Sequence, residues 1–158
     1  MTRAQFIELV KTEQNTLRCF LLALCCGNKE EADEIAQETL VKAYLSIPSY
    51  VEKGKFRSWL FKIAHNTFLN HKSAAKVYEA LESAETVADS SPADSGFIHQ
   101  KLYLALGTLP PKERSAITLY YLSGYSIKEI ARISDNSEEA VKKQLSRGRE
   151  KLKRMLKR

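Results

Sequence analysis

Apolar residues recur at three- and four-residue steps along almost the whole chain, and nowhere do they alternate with polar ones for the length of a strand. A chain so patterned buries its apolar surface as amphipathic helices, so the expected fold class is all-α. Phe6, Leu9, Val10, Leu17, Phe20, Leu21 and Leu24 mark a first helix from about residue 3, stopped near Gly27-Asn28 by the glycine that helix C-termini favour. Ala32, Ile35, Ala36, Leu40, Ala43 and Tyr44 form the stripe of a second, ended by Ile47-Pro48. A third carries Phe56, Trp59, Leu60, Ile63, Ala64, Thr67 and Phe68 inward, which leaves Phe61, Lys62, His65, Asn66, Asn70 and Lys72 off the stripe.

The charge divides this helical chain in two. Residues 1–76 hold eleven basic and eight acidic side chains, residues 77–97 none and five, and residues 98–158 fourteen and six. The net +6 is therefore a basic block and a strongly basic block joined by an acidic bridge. The bridge ends in Ser90-Ser91-Pro92-Ala93-Asp94-Ser95-Gly96, a breaker cluster that reads as a flexible linker, while residues 74–88 retain helical character. Two small helical domains, 1–76 and 98–158, are expected on either side of it.

Beyond the linker, Ile98, Leu102, Ala105, Leu106 and Leu109 build a helix that stops at Pro110-Pro111, and Pro111 opens the next. Three helical pieces follow: 113–122, 127–133, and 138 to the end. Ser126 and Glu129 have the spacing of a capping box, and Ser137 precedes Glu138-Glu139 as an N-cap should. Only Ser134-Asp135-Asn136-Ser137 separates the last two helices, which is the spacing of a helix-turn-helix. In the final helix Val141, Leu145, Gly148, Leu152 and Leu156 face inward, so Lys142, Lys143, Gln144, Ser146, Arg147 and Arg149 are free for DNA. Arg and Lys donate to guanine and Gln pairs with adenine in the major groove, which makes Lys143, Gln144 and Arg147 the candidate base contacts. Lys142, Arg149, Lys151, Lys153, Arg154, Lys157 and Arg158 suit phosphates. By itself this helix also reads as an ordinary solvated helix with a basic tail; the capped helix and turn before it favour DNA.

The first module offers two further surfaces. Asp33, Glu34, Gln37, Glu38 and Lys42 make a largely acidic, amide-bearing face that repels phosphate and suits a basic protein partner or plain solvent. The segment from Phe56 to Asn66 interleaves aromatics with Arg57 and Lys62, as surfaces for single-stranded bases do, although core packing explains Phe56 and Trp59 equally well. Phe61 lies off the apolar stripe and is the aromatic least easily assigned to the core.

These stretches resemble the bacterial RNA polymerase sigma factors of the extracytoplasmic-function (ECF) type. Ala32 through Leu40 followed by Phe56 through Asn66 looks like sigma region 2. Leu109-Pro110-Pro111-Lys112-Glu113-Arg114, Ile127 through Ala131, and Val141 through Arg149 look like region 4. The resemblance spans nearly the whole chain apart from the linker. It implies core RNA polymerase as partner, with Glu34, Gln37 and Glu38 on the β′ clamp helices and the second domain on the β flap. It implies promoter DNA as well, with Arg57, Trp59, Phe61, Lys62, Asn66 and Asn70 at the melted −10 element. The final helix, Lys142, Lys143, Gln144, Ser146, Arg147 and Arg149, falls at the −35 element. Anti-sigma factors are common among such relatives. The chain departs from the family at Asp33-Glu34, where Glu-Asp is usual. At Ala140 it lacks a phosphate-binding hydroxyl, and Gln144 stands where Arg is common.

No H-E-x-x-H, glycine-rich phosphate loop or cysteine-ligand spacing is present, so neither an enzyme, a metal site nor a cofactor is expected. His65 and His71 read as lying near nucleic acid or solvent and His99 on a helix surface; Cys19, Cys25 and Cys26 read as core thiols of a reducing, cytoplasmic compartment. The longest apolar run, residues 19–26, is too short to span a membrane, and no secretory signal is visible. The rival reading is a self-sufficient helix-turn-helix regulator with a helical dimerisation domain. Distance bears on the choice. Residues 73–97 reach roughly 80 Å fully extended at ~3.3 Å per residue but average only about 28 Å as a coil. Elements about 15 base pairs apart lie roughly 50 Å apart, so a partner is needed to hold the domains at that separation.

Overall fold

In the computed structural model the described residues are 1–50, 55–82 and 97–156; the backbone of the acidic stretch 83–96 lies outside them. Seven α-helices run in order: α1 (Arg3–Leu24), α2 (Lys29–Leu45), α3 (Phe56–Glu82), α4 (Phe97–Gly107), α5 (Pro111–Ile117), α6 (Ile127–Ser134) and α7 (Glu138–Leu156). A short 3₁₀ turn (Ile47–Ser49) follows α2, and α5 widens into a π-helical turn, Thr118–Leu122. No strand occurs among the described residues.

Local chemistry accounts for the boundaries. Thr2 and Gln5 close a reciprocal capping box at the start of α1, and Ser126 and Glu129 close another at α6. Asn28 caps α2, with Glu30 and Glu31 in its first turn, and Ser137 Oγ accepts from the Ala140 amide at 3.0 Å to begin α7. After α1 the chain reverses through Cys26 and Gly27, both at positive φ. A Cβ at Gly27 would stand 2.7 Å from the Tyr103 ring on α4, so glycine there meets both a backbone and a packing requirement.

The first three helices form a bundle around Leu17, Leu21, Ile35, Leu60 and Phe68; α4 to α7 wrap around Leu106, Leu109, Leu119, Ile130 and Leu145. Gly148 lets α7 cross α5 closely, since a Cβ there would lie 2.7 Å from Ile117 Cγ1. The buried residues of the two halves form one cluster, so the halves pack on each other. The α3 helix packs on α6 and α5, and α1 on α4, α5 and the π turn.

Two residues make that junction. Phe61 stacks on Phe20 of α1 at 4.9 Å and meets Tyr125, from the loop before α6, edge-on at 5.7 Å. Arg114 of α5 is buried, and its guanidinium donates to three backbone carbonyls: Leu24 at 2.7 Å, Leu106 at 3.0 Å and Leu109 at 3.0 Å. Its charge also lies 5.9 Å from the centre of the Phe68 ring on α3. One side chain thus joins the ends of α1 and α4 to α3. Of the three expected core thiols, only Cys25 is buried; Cys26 is half-buried and Cys19 exposed, because Cys19 lies off the inward face of α1.

Replacing Arg114 by Met removes a donor from three inward-facing carbonyls, of which Leu106 O keeps the Leu109 amide, and the variant should lose about 2–4 kcal/mol of stability in urea unfolding. Arg114→Lys, a single point donor, should recover only part of that loss.

Candidate nucleic-acid and partner-docking surfaces

The basic face of α7 is built by subtraction. Val141, Leu145 and Gly148 are buried against α5 and α6, which turns Lys142, Lys143, Ser146, Arg147 and Arg149 outward, all exposed. Among the described residues no acidic side chain pairs with Lys142, Lys143, Arg147 or Arg149; Arg149 instead donates to Tyr121 Oη at 3.3 Å. Lys151 departs from the expected phosphate role, because it pairs with the largely buried Glu113 at 2.9 Å. Gln144 is half-buried, on the side of α7 that faces α3.

On α3, Lys62, Asn66 and Asn70 are exposed. Trp59 is half-buried in an aromatic group with Tyr50 at 5.0 Å and Phe56 at 5.7 Å, and Arg57 is held by Glu13 at 2.6 Å. Phe61 is a correction: expected to be free for a base, it has 0% exposure, because Phe20 of α1 and the second half of the chain, through Tyr125, cover the side of α3 that the periodicity leaves polar. His65, expected near solvent or nucleic acid, is 2% exposed for the same reason. Burial, then the nearby charge of Lys112, pushes its imidazole down to about 4. His71 is half-buried on Glu38, and the side chain of His99 lies outside the described ones.

The two surfaces expected to face DNA meet. Tyr50, Trp59 and Lys62 line one side of a cleft whose other side is Arg132, Ile133 and Asp135 of α6 and the turn after it. Next to it, His65 and Asn66 share a polar cavity of about 280 Å³ with Lys112, Ser115, Asp135 and Gln144. Asn66 and Gln144, expected at two separate promoter elements, thus lie on one cavity.

The acidic face of α2 is open at Glu34 and Gln37, while Glu38 takes hydrogen bonds from His71 at 2.9 Å and Lys42 at 3.1 Å. Those bonds, His71 first, hold the Glu38 carboxyl below its ordinary value. Sequence reasoning missed the apolar part of this surface. Val41 and Leu45, one and two turns after Gln37, are 59% and 72% exposed. Their signal was present, since both fall outside the buried stripe of α2. It also missed an apolar groove of about 560 Å³ between α4, the π turn and α7, lined by Leu102, Leu106, Tyr121, Leu122, Leu152 and Leu156. Among the described residues no three His, Cys, Asp or Glu cluster as metal ligands, and no helix is long and apolar enough to cross a membrane.

Comparison with known proteins places this geometry among relatives. Residues 9–77 match the family Sigma-70 region 2, and residues 99–152 match Sigma-70, region 4. The chain is 34% identical over 151 residues to the ECF RNA polymerase sigma factor SigM of Bacillus subtilis, covering 92% of this chain and 91% of that one. It is 35% identical to SigW of the same organism, covering 82% and 78%. Among solved structures, it superposes with a TM-score of 0.80 and 28% identity on the sigma factor RpoE of Bartonella quintana, crystallised in complex with the anti-sigma factor NepR, over 97% of each chain.

Because Phe61 belongs to the junction between the halves, Phe61→Ala should cost about 3–5 kcal/mol in urea unfolding, as large aromatic truncations in cores do. A loss under 1 kcal/mol would return Phe61 to the surface.

Proposed function

The chain belongs to the ECF RNA polymerase sigma factors, which direct promoter-specific transcription initiation with core RNA polymerase, and from that membership we propose how its surfaces divide the work. The exposed face of α7 reads the −35 element, with Lys143, Gln144 and Arg147 at base edges and Lys142, Ser146 and Arg149 at phosphates. The observation that carries this is a row of exposed cations, without acidic partners among the described residues, on a helix whose Val141, Leu145 and Gly148 are buried on the other side. On α3, Trp59 and Lys62 line the edge of the melted −10 strand, Asn66 and Asn70 hold an unstacked base, and Arg57 follows the backbone. Phe61 is left out of this set.

Glu34, Gln37 and Glu38 dock on the β′ clamp helices, and the exposed Val41 and Leu45 extend that contact with apolar area, as the centres of protein interfaces require. The groove between α4 and α7 receives the β flap. An anti-sigma factor, such as the one that accompanies the Bartonella relative, is a further partner for this chain. The protein acts by binding, without catalysis of its own, in the cytoplasm where polymerase works. A self-sufficient regulator is set aside, since residues 9–77 match region 2 and not a separate dimerisation domain.

In the arrangement described, the α3 and α7 surfaces border one cavity, whereas −10 and −35 elements about 15 base pairs apart are separated by roughly 50 Å. The halves must part for both elements to be held at once. Polymerase, by docking each half at its own site, supplies the energy for that separation.

Run-off transcription with core polymerase should yield a promoter-dependent transcript, and the chain alone should bind the same promoter weakly. Arg147→Ala should reduce discrimination at one −35 position by about 1–3 kcal/mol, whereas Lys142→Ala should weaken all sequences alike and lower the salt slope by about one. Tight, sequence-specific binding by the free chain would contradict the scheme.

A further inference from the structure

The junction between the halves contains polar groups that it leaves unsatisfied. Apart from a loose contact with the Asn66 side chain, neither ring nitrogen of His65 has a protein hydrogen-bond partner, and Ser115 Oγ, on α5 across the same cavity, has none. Both side chains are almost wholly buried, at 2% and 1% exposure. Buried polar groups are normally satisfied, and each exception weakens the contact that holds it. Here the exceptions sit where the second half of the chain covers the first, so the cost falls on the closed arrangement and is relieved when the halves part.

The charge that bears on His65 is that of Lys112. From α5 the cavity presents Lys112; from the turn after α6 it presents Asp135, the single carboxylate on its lining; α7 contributes only the uncharged Gln144, and α1 and α2 contribute nothing. On its own helix Asn66 and Leu69 are neutral, while Lys62, one turn earlier, lies in the adjoining cleft with Arg132. A proton on His65 would thus place a second positive charge beside Lys112, on a side chain that is itself almost wholly buried.

We propose that His65 couples the parting of the two halves to proton uptake, so that the protein opens more readily as the pH falls. The proposal rests on the reading that opening precedes promoter engagement, and it adds the group that sets how easily opening occurs. The proton comes from solvent and goes to a ring nitrogen; no other bond changes.

The direction follows from linkage. In the closed form the ring titrates at about 4. Freed to water, it titrates near the ordinary value of about 6.5. A group whose value is depressed in the closed form leaves that form undisturbed above about 6.5 and weakens it as pH falls from there towards 4. Between pH 7.5 and pH 5.5 the ratio of open to closed protein should therefore rise about tenfold.

The chain carries its own reporter. Trp59 is its one tryptophan and lines the cleft that closes against Arg132, Ile133 and Asp135. Urea titrations of the full chain at pH 7.5 and 5.5, followed by Trp59 emission and by far-UV circular dichroism, read opening and helix loss separately. Neither DNA nor polymerase is present, so failure here is distinct from failure of the promoter assignment. In the wild type the Trp59 transition should precede helix loss, and its equilibrium constant at fixed urea should rise about tenfold at the lower pH. In His65→Leu, and in His65→Gln, which keeps a neutral polar group, the change should fall below twofold. Ring-carbon nuclear magnetic resonance of the wild type should show His65 titrating below pH 5.5. The proposal is overturned by an equal pH response in either variant, by a Trp59 change that coincides with helix loss at both pH values, or by a His65 ring that titrates near 6.5 in the native protein.

Discussion

A single guanidinium with no carboxylate among its hydrogen-bond partners holds this molecule together. Arg114 spends its hydrogen bonds on carbonyls at or just beyond the C-terminal ends of α1 and α4, the places where helices leave acceptors unpaired and where their dipoles favour positive charge. That choice has a structural consequence. A salt bridge would tie Arg114 to one side chain, whereas three carbonyls from two helices fix the relative position of backbone segments ninety residues apart in sequence. The Phe61–Tyr125 and α3–α6 contacts follow once α5 is held beside α1.

The same junction explains which parts of the molecule were legible in the chain. Helix existence and most ends could be read, because caps and breakers act within a few residues: Thr2 with Gln5, Ser126 with Glu129, Pro48, and the pair Pro110-Pro111. The outward face of α7 was legible for a related reason, as its apolar stripe is narrow and only one side needs burial. Phe61 and His65 were not. Periodicity identifies one apolar face per helix, yet α3 is covered on two: by α1 and α2 along Phe56, Leu60 and Ala64, and at 61 and 65 by the second half of the chain, with Phe20 of α1 also on Phe61. A second cover from distant sequence leaves no local trace. Arg114 was hidden by its company, since nothing local distinguishes a buried cation from the solvated ones of a strongly basic block.

Two opposing demands meet in the cleft between α3 and α6. A folded chain favours covering the aromatic and apolar residues of α3, and a factor that works on separated DNA elements must be able to uncover them. The junction answers with mixed quality. Phe61 and Arg114 are fully satisfied and well packed, while at the same junction His65 and Ser115 are buried with little or no hydrogen bonding from the protein. The result is an interface that forms in the isolated chain without being as strong as its area would allow.

The crossing of α7 over α5 at Gly148 brings a different kind of constraint. With a hydrogen atom where every other residue has a carbon, α7 rests directly on Ile117, and that contact lies near the middle of a helix roughly 28 Å long at ~1.5 Å per residue. Gly148 is thereby one bearing of a helix that is also seated through Val141 and Leu145. Any bulk added at that bearing would tilt the helix and with it the basic face, so the aim of Lys143 and Arg147 depends on an atom that is absent from neither of them but from the residue beside them.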